Sequence, residues 1–148
     1  MAAQPIAKTT PSRCRLLYAG DRDESLAVVK QVLAGRKDLE LWRAADIDTA
    51  LQLTRRGRPD VMLVNVDLGP DGGVPLMKTL RANAATHATP ILALGSDTAP
   101  QAAAKSLEAG FFQYLAQPVQ PGTLAEALDY ALEFAALEEA EQSFKEPR

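Results

Sequence analysis

Asn65 closes an apolar run, PDVMLVNVDLGPDGG (residues 59–73), where Val61, Met62, Leu63 and Val64 meet a Gly/Pro/Asp cluster. A short, β-branched-rich run of this kind predicts a strand buried on both faces that ends in a loop. In open α/β sheets, ligand chemistry sits just outside the carboxyl ends of such strands. A carboxylate at that address could take a phosphoryl group as an acyl phosphate. The Asn65 amide is neutral and a poor nucleophile, so it cannot. Two carboxylates, Asp67 and Asp71, follow in the loop, where Asp71-Gly72 is a turn signal. Asp21 follows another apolar run, LLYAG. The only histidine, His87, lies in ANAATHATP between a helix and a strand, the setting of a loop residue rather than of a phosphohistidine. Arg55-Arg56-Gly57-Arg58 could meet an anion, but arginines at a helix C-terminus are favoured by the helix dipole alone.

The elements that must position these residues alternate five times between apolar runs and amphipathic stretches. The strand candidates are Leu16–Ala19, Leu39–Arg43, Val61–Val66, Ile91–Gly95 and Phe112–Ala116. Leu26, Val29, Val32 and Leu33 share a face of the first helix, which Gly35 ends. Asp48 is placed to cap a second helix that Gly57-Arg58-Pro59 stops. Leu76, Met77 and Leu80 mark a third helix. Pro100 suits the first turn of a fourth and Gly110 its C-cap; a fifth starts near Pro121. This alternation predicts an α/β fold, a doubly wound parallel sheet with helices on both faces.

A chain of 148 residues supports one domain with a proper core. A net charge of −3 gives no electrostatic case for nucleic acid or an anionic membrane. No apolar run reaches the ~20 residues of a membrane span, and the N-terminus lacks the apolar region of a secretory signal. The single cysteine, Cys14, cannot form an internal disulfide, which favours a reducing, cytoplasmic setting. Residues 1–13 are expected to be a disordered leader, 14–137 the folded domain, and 138–148 an acidic helix extension that frays beyond about residue 140.

The last helix carries more apolar surface than one sheet contact needs. Leu124, Leu128, Ala131 and Ala135 form one stripe; Ala127, Tyr130, Phe134 and Leu137 form a second beside it. Together they exceed the ~100° of a single core-facing stripe, so Tyr130, Phe134 and Leu137 are candidates to face a partner.

In order and spacing these segments resemble the receiver domain of two-component response regulators over residues 15–137. LLYAGDRDESLAVVKQVLA is similar to that family's first strand, acidic loop and first helix. PDVMLVNVDLGPDGG resembles its phosphoacceptor strand and loop, TPILALGS its fourth strand, and AGFFQYLAQPV its last strand and Lys-Pro turn. LLY and AGFFQYLAQP look most like receivers attached to hybrid histidine kinases. The resemblance implies a flavodoxin-like (βα)5 fold, five parallel strands with five helices, and a cis bond at Gln117-Pro118.

It also implies a degenerate phosphorylation pocket: Gly20, Asp21, Asn65, Asp67, Gly95 and Gln117. The acidic pair has become Gly20-Asp21, the acceptor Asn65, the hydroxyl residue Gly95 and the lysine Gln117. Mg²⁺ is a hard cation that wants carboxylate oxygens, so Asp21 alone would be a weak site. Gln117 cannot balance a phosphoryl group's negative charge. Three carboxylates within ~5 Å repel by a few kcal/mol at an effective dielectric near 20, a strain this pocket lacks. No catalytic residue, resident metal or cofactor is expected. Tyr114 matches the family's aromatic switch, uncoupled here because Gly95 has no hydroxyl.

The expected function is a phosphorylation-independent pseudo-receiver, a protein-interaction module in phosphorelay signalling rather than an enzyme. Its expected partner is a signalling protein: a histidine kinase, a response regulator or an output domain. The expected interface is Ala103, Leu107, Tyr114, Tyr130, Phe134 and Leu137, with a homodimer through the last helix and last strand as one arrangement. No output domain fits after residue 137. The alternatives are an unorthodox phosphoreceiver using Asp67, Asp71 or Asp21, with Ser96 replacing the lost hydroxyl, and a ligand sensor, for example of a cyclic dinucleotide. The sensor would need a stacking partner beside Arg55–Arg58, and none is evident in the sequence.

Overall fold

The structure, a computed structural model, describes residues 14–21, 23–66, 74–83, 86–96 and 100–145. The expected leader, Asp67 and the Asp71-Gly72 turn lie outside the described residues. Ten elements alternate: β1 (Cys14–Ala19), α1 (Asp23–Ala34), β2 (Leu39–Ala44), α2 (Ile47–Arg56), β3 (Val61–Asn65), α3 (Val74–Ala82), β4 (Ile91–Gly95), α4 (Pro100–Ala109), β5 (Gln113–Ala116) and α5 (Pro121–Lys145). The strands form one parallel sheet in the order β2-β1-β3-β4-β5. The chain reverses its direction of winding between β1 and β3, which opens a crevice at the carboxyl ends of those two strands.

Alternating side chains feed two cores. Leu16, Tyr18, Val61, Leu63, Leu92 and Leu94 pack with Leu26 and Val29 of α1 and Leu124 and Leu128 of α5. Leu17, Ala19, Met62, Val64, Ile91 and Ala93 pack with Ala50 of α2 and Met77 and Leu80 of α3. Every residue of β3 and β4 is buried, as a central strand requires. Each such Val, Leu or Ile contributes roughly 1.5–3 kcal/mol by leaving water.

Three expectations are corrected. The cap of α2 is Asp46, not Asp48: Asp46 has extended backbone, and its carboxylate accepts from Thr49 N at 2.8 Å. Ala127 is buried with the sheet-facing stripe rather than standing in the outer one, whereas Ala135 is only partly buried. The last helix does not end near residue 140 but runs to Lys145. The close of α4 is as expected: Gly110 has φ +114°, and Phe111 N donates to Ser106 O at 3.0 Å.

Candidate functional site

Backbone ladders continue one residue past each strand and align the site at the carboxyl edge of the sheet. Gly20 N donates to Ala44 O at 2.9 Å, Val66 N to Leu94 O at 2.8 Å, and Gln117 N to Gly95 O at 2.8 Å. Gly20, Asn65, Gly95 and Gln117 thus stand at one edge of the sheet. Asn65 is 1% exposed, so its amide forms the floor of the site. Asp21 is exposed just above.

Two tyrosines lie against the glycines: Tyr114, which the resemblance set beside Gly95, and Tyr18, which the sequence analysis did not single out. Tyr18 is fully buried; a β-carbon on residue 20 would stand 2.7 Å from its Oη, 2.9 Å from its Cζ and 3.1 Å from the Asn65 Cβ. The Tyr114 ring lies against Gly95, where an added β-carbon would stand 2.8 Å from Cε1 and 2.9 Å from Cζ. Side chains essentially never approach so closely, so neither an acid at 20 nor a hydroxyl residue at 95 fits these ring positions. Tyr114, expected on the interface, is half-buried, with its ring against Gly95.

Gln117, joined to Pro118 by a cis bond, donates from Nε2 to Ser25 Oγ at 2.6 Å, while its Oε1 is buried with no partner among the described residues. A cavity of roughly 500 Å³ beside it is lined by Glu24, Ser25, Val28, Ser96, Gln117, Pro118 and Val119. Ser96 lies in this cavity's wall and is exposed. A Mg²⁺ ion does not fit the described residues at this edge: Asp21 and Glu24 are carboxylates on the exposed rim, and Asn65 beneath is a buried amide. No group of three or more His, Cys, Asp or Glu side chains converges among the described residues.

The other expected residues are dispersed. His87 sits exposed in the turn between α3 and β4. Ala103 is partly buried on α4, and Leu107 is 54% exposed. Tyr130, Phe134 and Leu137 are 56%, 39% and 65% exposed on α5. The arginine group of α2 does have an aromatic neighbour, contrary to expectation: a β-carbon at Gly57 would stand 3.1 Å from Trp42. One face of that indole is already covered by the Arg15 guanidinium, 4.8 Å from the ring centroid, and the ring packs against the core.

A second arginine, Arg81, was missed altogether. Its guanidinium donates to the carbonyls of Thr86 (3.1 Å), His87 (3.2 Å), Thr89 (2.9 Å) and Gly110 (3.2 Å), tying the α3–β4 turn to the end of α4. Burial holds its pKa below the ordinary arginine value.

Comparison with known proteins agrees with this geometry. Residues 16–129 match the family model described as response regulator receiver domain. Chemotaxis protein CheY-3 of Vibrio cholerae serotype O1 is 24% identical over 119 residues, 80% of this chain and 92% of that protein. Among solved structures, the chemotaxis response regulator CheY4 of Vibrio cholerae is 26% identical, with 82% of this chain and 100% of that one covered at a TM-score of 0.72. The signal receiver domain of an HD domain-containing protein from Pseudomonas fluorescens Pf-5 is 25% identical, with 84% and 98% covered at a TM-score of 0.72.

Proposed function

The chain belongs to the response regulator receiver domain family, the receivers of two-component signalling, and from that premise we propose that it works as a phosphorylation-independent pseudo-receiver, a protein-interaction module. One observation carries this reading: the strand that ends at the candidate acceptor position closes on Asn65, a buried amide 1% exposed, with the Tyr18 and Tyr114 rings against the neighbouring Gly20 and Gly95. Acyl-phosphate chemistry needs a carboxylate nucleophile, cationic charge to balance the phosphoryl oxygens, and an open volume between them. At this edge the residue in the nucleophile's place is an amide, Gln117 stands at the lysine position, and an aromatic ring lies against each of Gly20 and Gly95. The signalling surface then keeps one arrangement, because Tyr114 has no hydroxyl side chain at residue 95 to follow.

Beryllofluoride, which mimics a phosphoryl group on a receiver aspartate in the presence of Mg²⁺, supplies the test. Amide ¹H–¹⁵N spectra of the chain should be unchanged when Mg²⁺ and beryllofluoride are added together. Saturable shifts centred on residues 65, 95 and 117 would refute the proposal.

A further inference from the structure

Helix α5 is longer than its contact with the sheet. Its inner face is buried at Leu124, Ala127, Leu128 and Ala131, and no described residue after Ala131 is buried. Residues 132–145 prolong the helix by ~20 Å. Along its outer face Tyr130, Phe134 and Leu137 are spaced four and then three residues apart, and the sequence continues that spacing to Glu141 and Phe144. Alternating steps of four and three make the seam of a two-helix contact.

A groove adjoins this seam. Phe134 meets Phe112 at 5.3 Å between ring centroids, with the planes inclined at 47°. Beside them a cavity of roughly 560 Å³ is lined in part by Leu107 of α4, Phe112, Phe134 and Glu138. It is large enough for an apolar side chain presented by another helix.

The charges beside the seam decide which helix that is. With Phe134 at position a and Tyr130 and Leu137 at d, Glu126 and Glu133 fall at g and Glu138 at e. The helix carries six carboxylates and one lysine, a concentration hidden by the chain's net charge of only −3. Asp129 is paired with Arg36. Glu126, Glu133, Glu138 and Glu141 form no ion pair among the described residues. A second copy laid parallel along the seam would set Glu133 against Glu138 and place two Glu141 carboxylates face to face. Like charges so opposed select against that pairing.

We propose that the α5 seam and the groove beside Phe134 receive an amphipathic helix from a partner protein, with apolar residues at heptad spacing and lysine or arginine on both flanks. The apolar residues cover Tyr130, Phe134 and Leu137, and the basic flanks face Glu126, Glu133 and Glu138. This inference rests on the reading of the chain as an interaction module and replaces the expected homodimer with a basic partner.

The probe is a synthetic helical peptide of four heptads, with leucine at a and d and lysine at e and g, beside an otherwise identical peptide with glutamate at e and g. Fluorescence anisotropy with the full chain should show saturable binding of the lysine peptide, weakening as salt rises, and none of the glutamate peptide. Glu133→Lys with Glu138→Lys should weaken the lysine peptide by about tenfold or more and admit the glutamate peptide. Leu137→Ser should weaken the lysine peptide while leaving the thermal midpoint unchanged. Equal binding of both peptides, or no saturable binding of the lysine peptide, overturns the proposal. So does a dimer, seen by light scattering at about 50 μM, that Leu137→Ser abolishes, because a second copy is then the occupant. Repeating the titration with Mg²⁺ and acetyl phosphate separates the two readings. Binding that requires the phosphoryl donor refutes phosphorylation independence and leaves the docking surface standing. Absence of binding with and without the donor refutes the docking surface alone.

Discussion

The ring of Tyr114 on β5 lies against Gly95 at the end of β4, so that a β-carbon on residue 95 would stand 2.8 Å from its Cε1. The two residues share one volume, which holds either a side chain at 95 or this ring. Tyr18 and Gly20 repeat the relationship across the crevice, with 2.7 Å from the tyrosine Oη to an added β-carbon. Glycines at 20 and 95 thus leave room for two aromatic rings at this edge of the sheet, Tyr18 fully buried and Tyr114 half-buried.

Gly95→Thr should therefore be destabilising, by about 1–3 kcal/mol, the usual range for overpacking. Tyr114→Ala in the same chain should recover part of that loss. Urea denaturation of the two single variants and the double variant would measure the coupling; strictly additive effects would mean that the ring and residue 95 do not compete.

Asn65→Asp should not restore phosphorylation, because Gly20, Gly95 and Gln117 remain. It should also lower stability by more than about 2 kcal/mol at neutral pH, since it puts a carboxylate at a position 1% exposed. Burial raises the folded-state pKa of such an acid. Its deficit should therefore be small below about pH 4 and grow as pH rises through the folded pKa. Denaturation at pH 4 and pH 8 checks the sign. Stoichiometric phosphorylation of this variant would overturn the argument that the losses act together.

The β4 strand and α4 helix were legible to the residue because Pro90, Gly95, Pro100 and Gly110 punctuate them. The cap of α2 was not. Asp46 and Asp48 are chemically identical, and only the extended backbone at 46 decides between them. The residues at the carboxyl edge of the sheet could be read because each stands at a motif position, and the same motifs set Tyr114 beside Gly95. Tyr18 could not be read, since it looks like an ordinary strand residue until β1 and β3 are placed in the sheet. Arg81 was illegible for the same reason: the four carbonyls it gathers come from two separate turns.

Arg81→Met should cost about 2–3 kcal/mol, since it leaves the carbonyls of Thr86, Thr89 and Gly110 without the guanidinium that donates to them. Arg81→Lys should recover less than half of that, because an ammonium lacks the planar fork that reaches both turns. Hydrogen exchange at residues 86–90 and 110–112 should rise in both variants. Unchanged exchange would show that the clamp is dispensable.

Arg36 joins the α1–β2 turn to α5 through Asp38 at 3.0 Å and Asp129 at 2.8 Å. The guanidinium holds the Asp38 carboxyl below the usual carboxylate range. A depressed pKa gives stability that is present above the unfolded value of about 3.9 and is lost as pH falls through the folded one. Because Asp38 and Asp129 are exposed, Arg36→Ala should cost about 1 kcal/mol or less at pH 7 and less still at pH 3. Thermal midpoints of both chains at the two pH values test this; a larger deficit at pH 3 would contradict it.

The central claim, that this receiver works without being phosphorylated, is tested most directly by intact-mass spectrometry after incubation with Mg²⁺ and acetyl phosphate beside an active receiver. The account predicts that the control gains phosphoryl mass and this chain gains none. A Mg²⁺-dependent, base-labile phosphoryl adduct on this chain would contradict it and make Asp67 the first residue to replace.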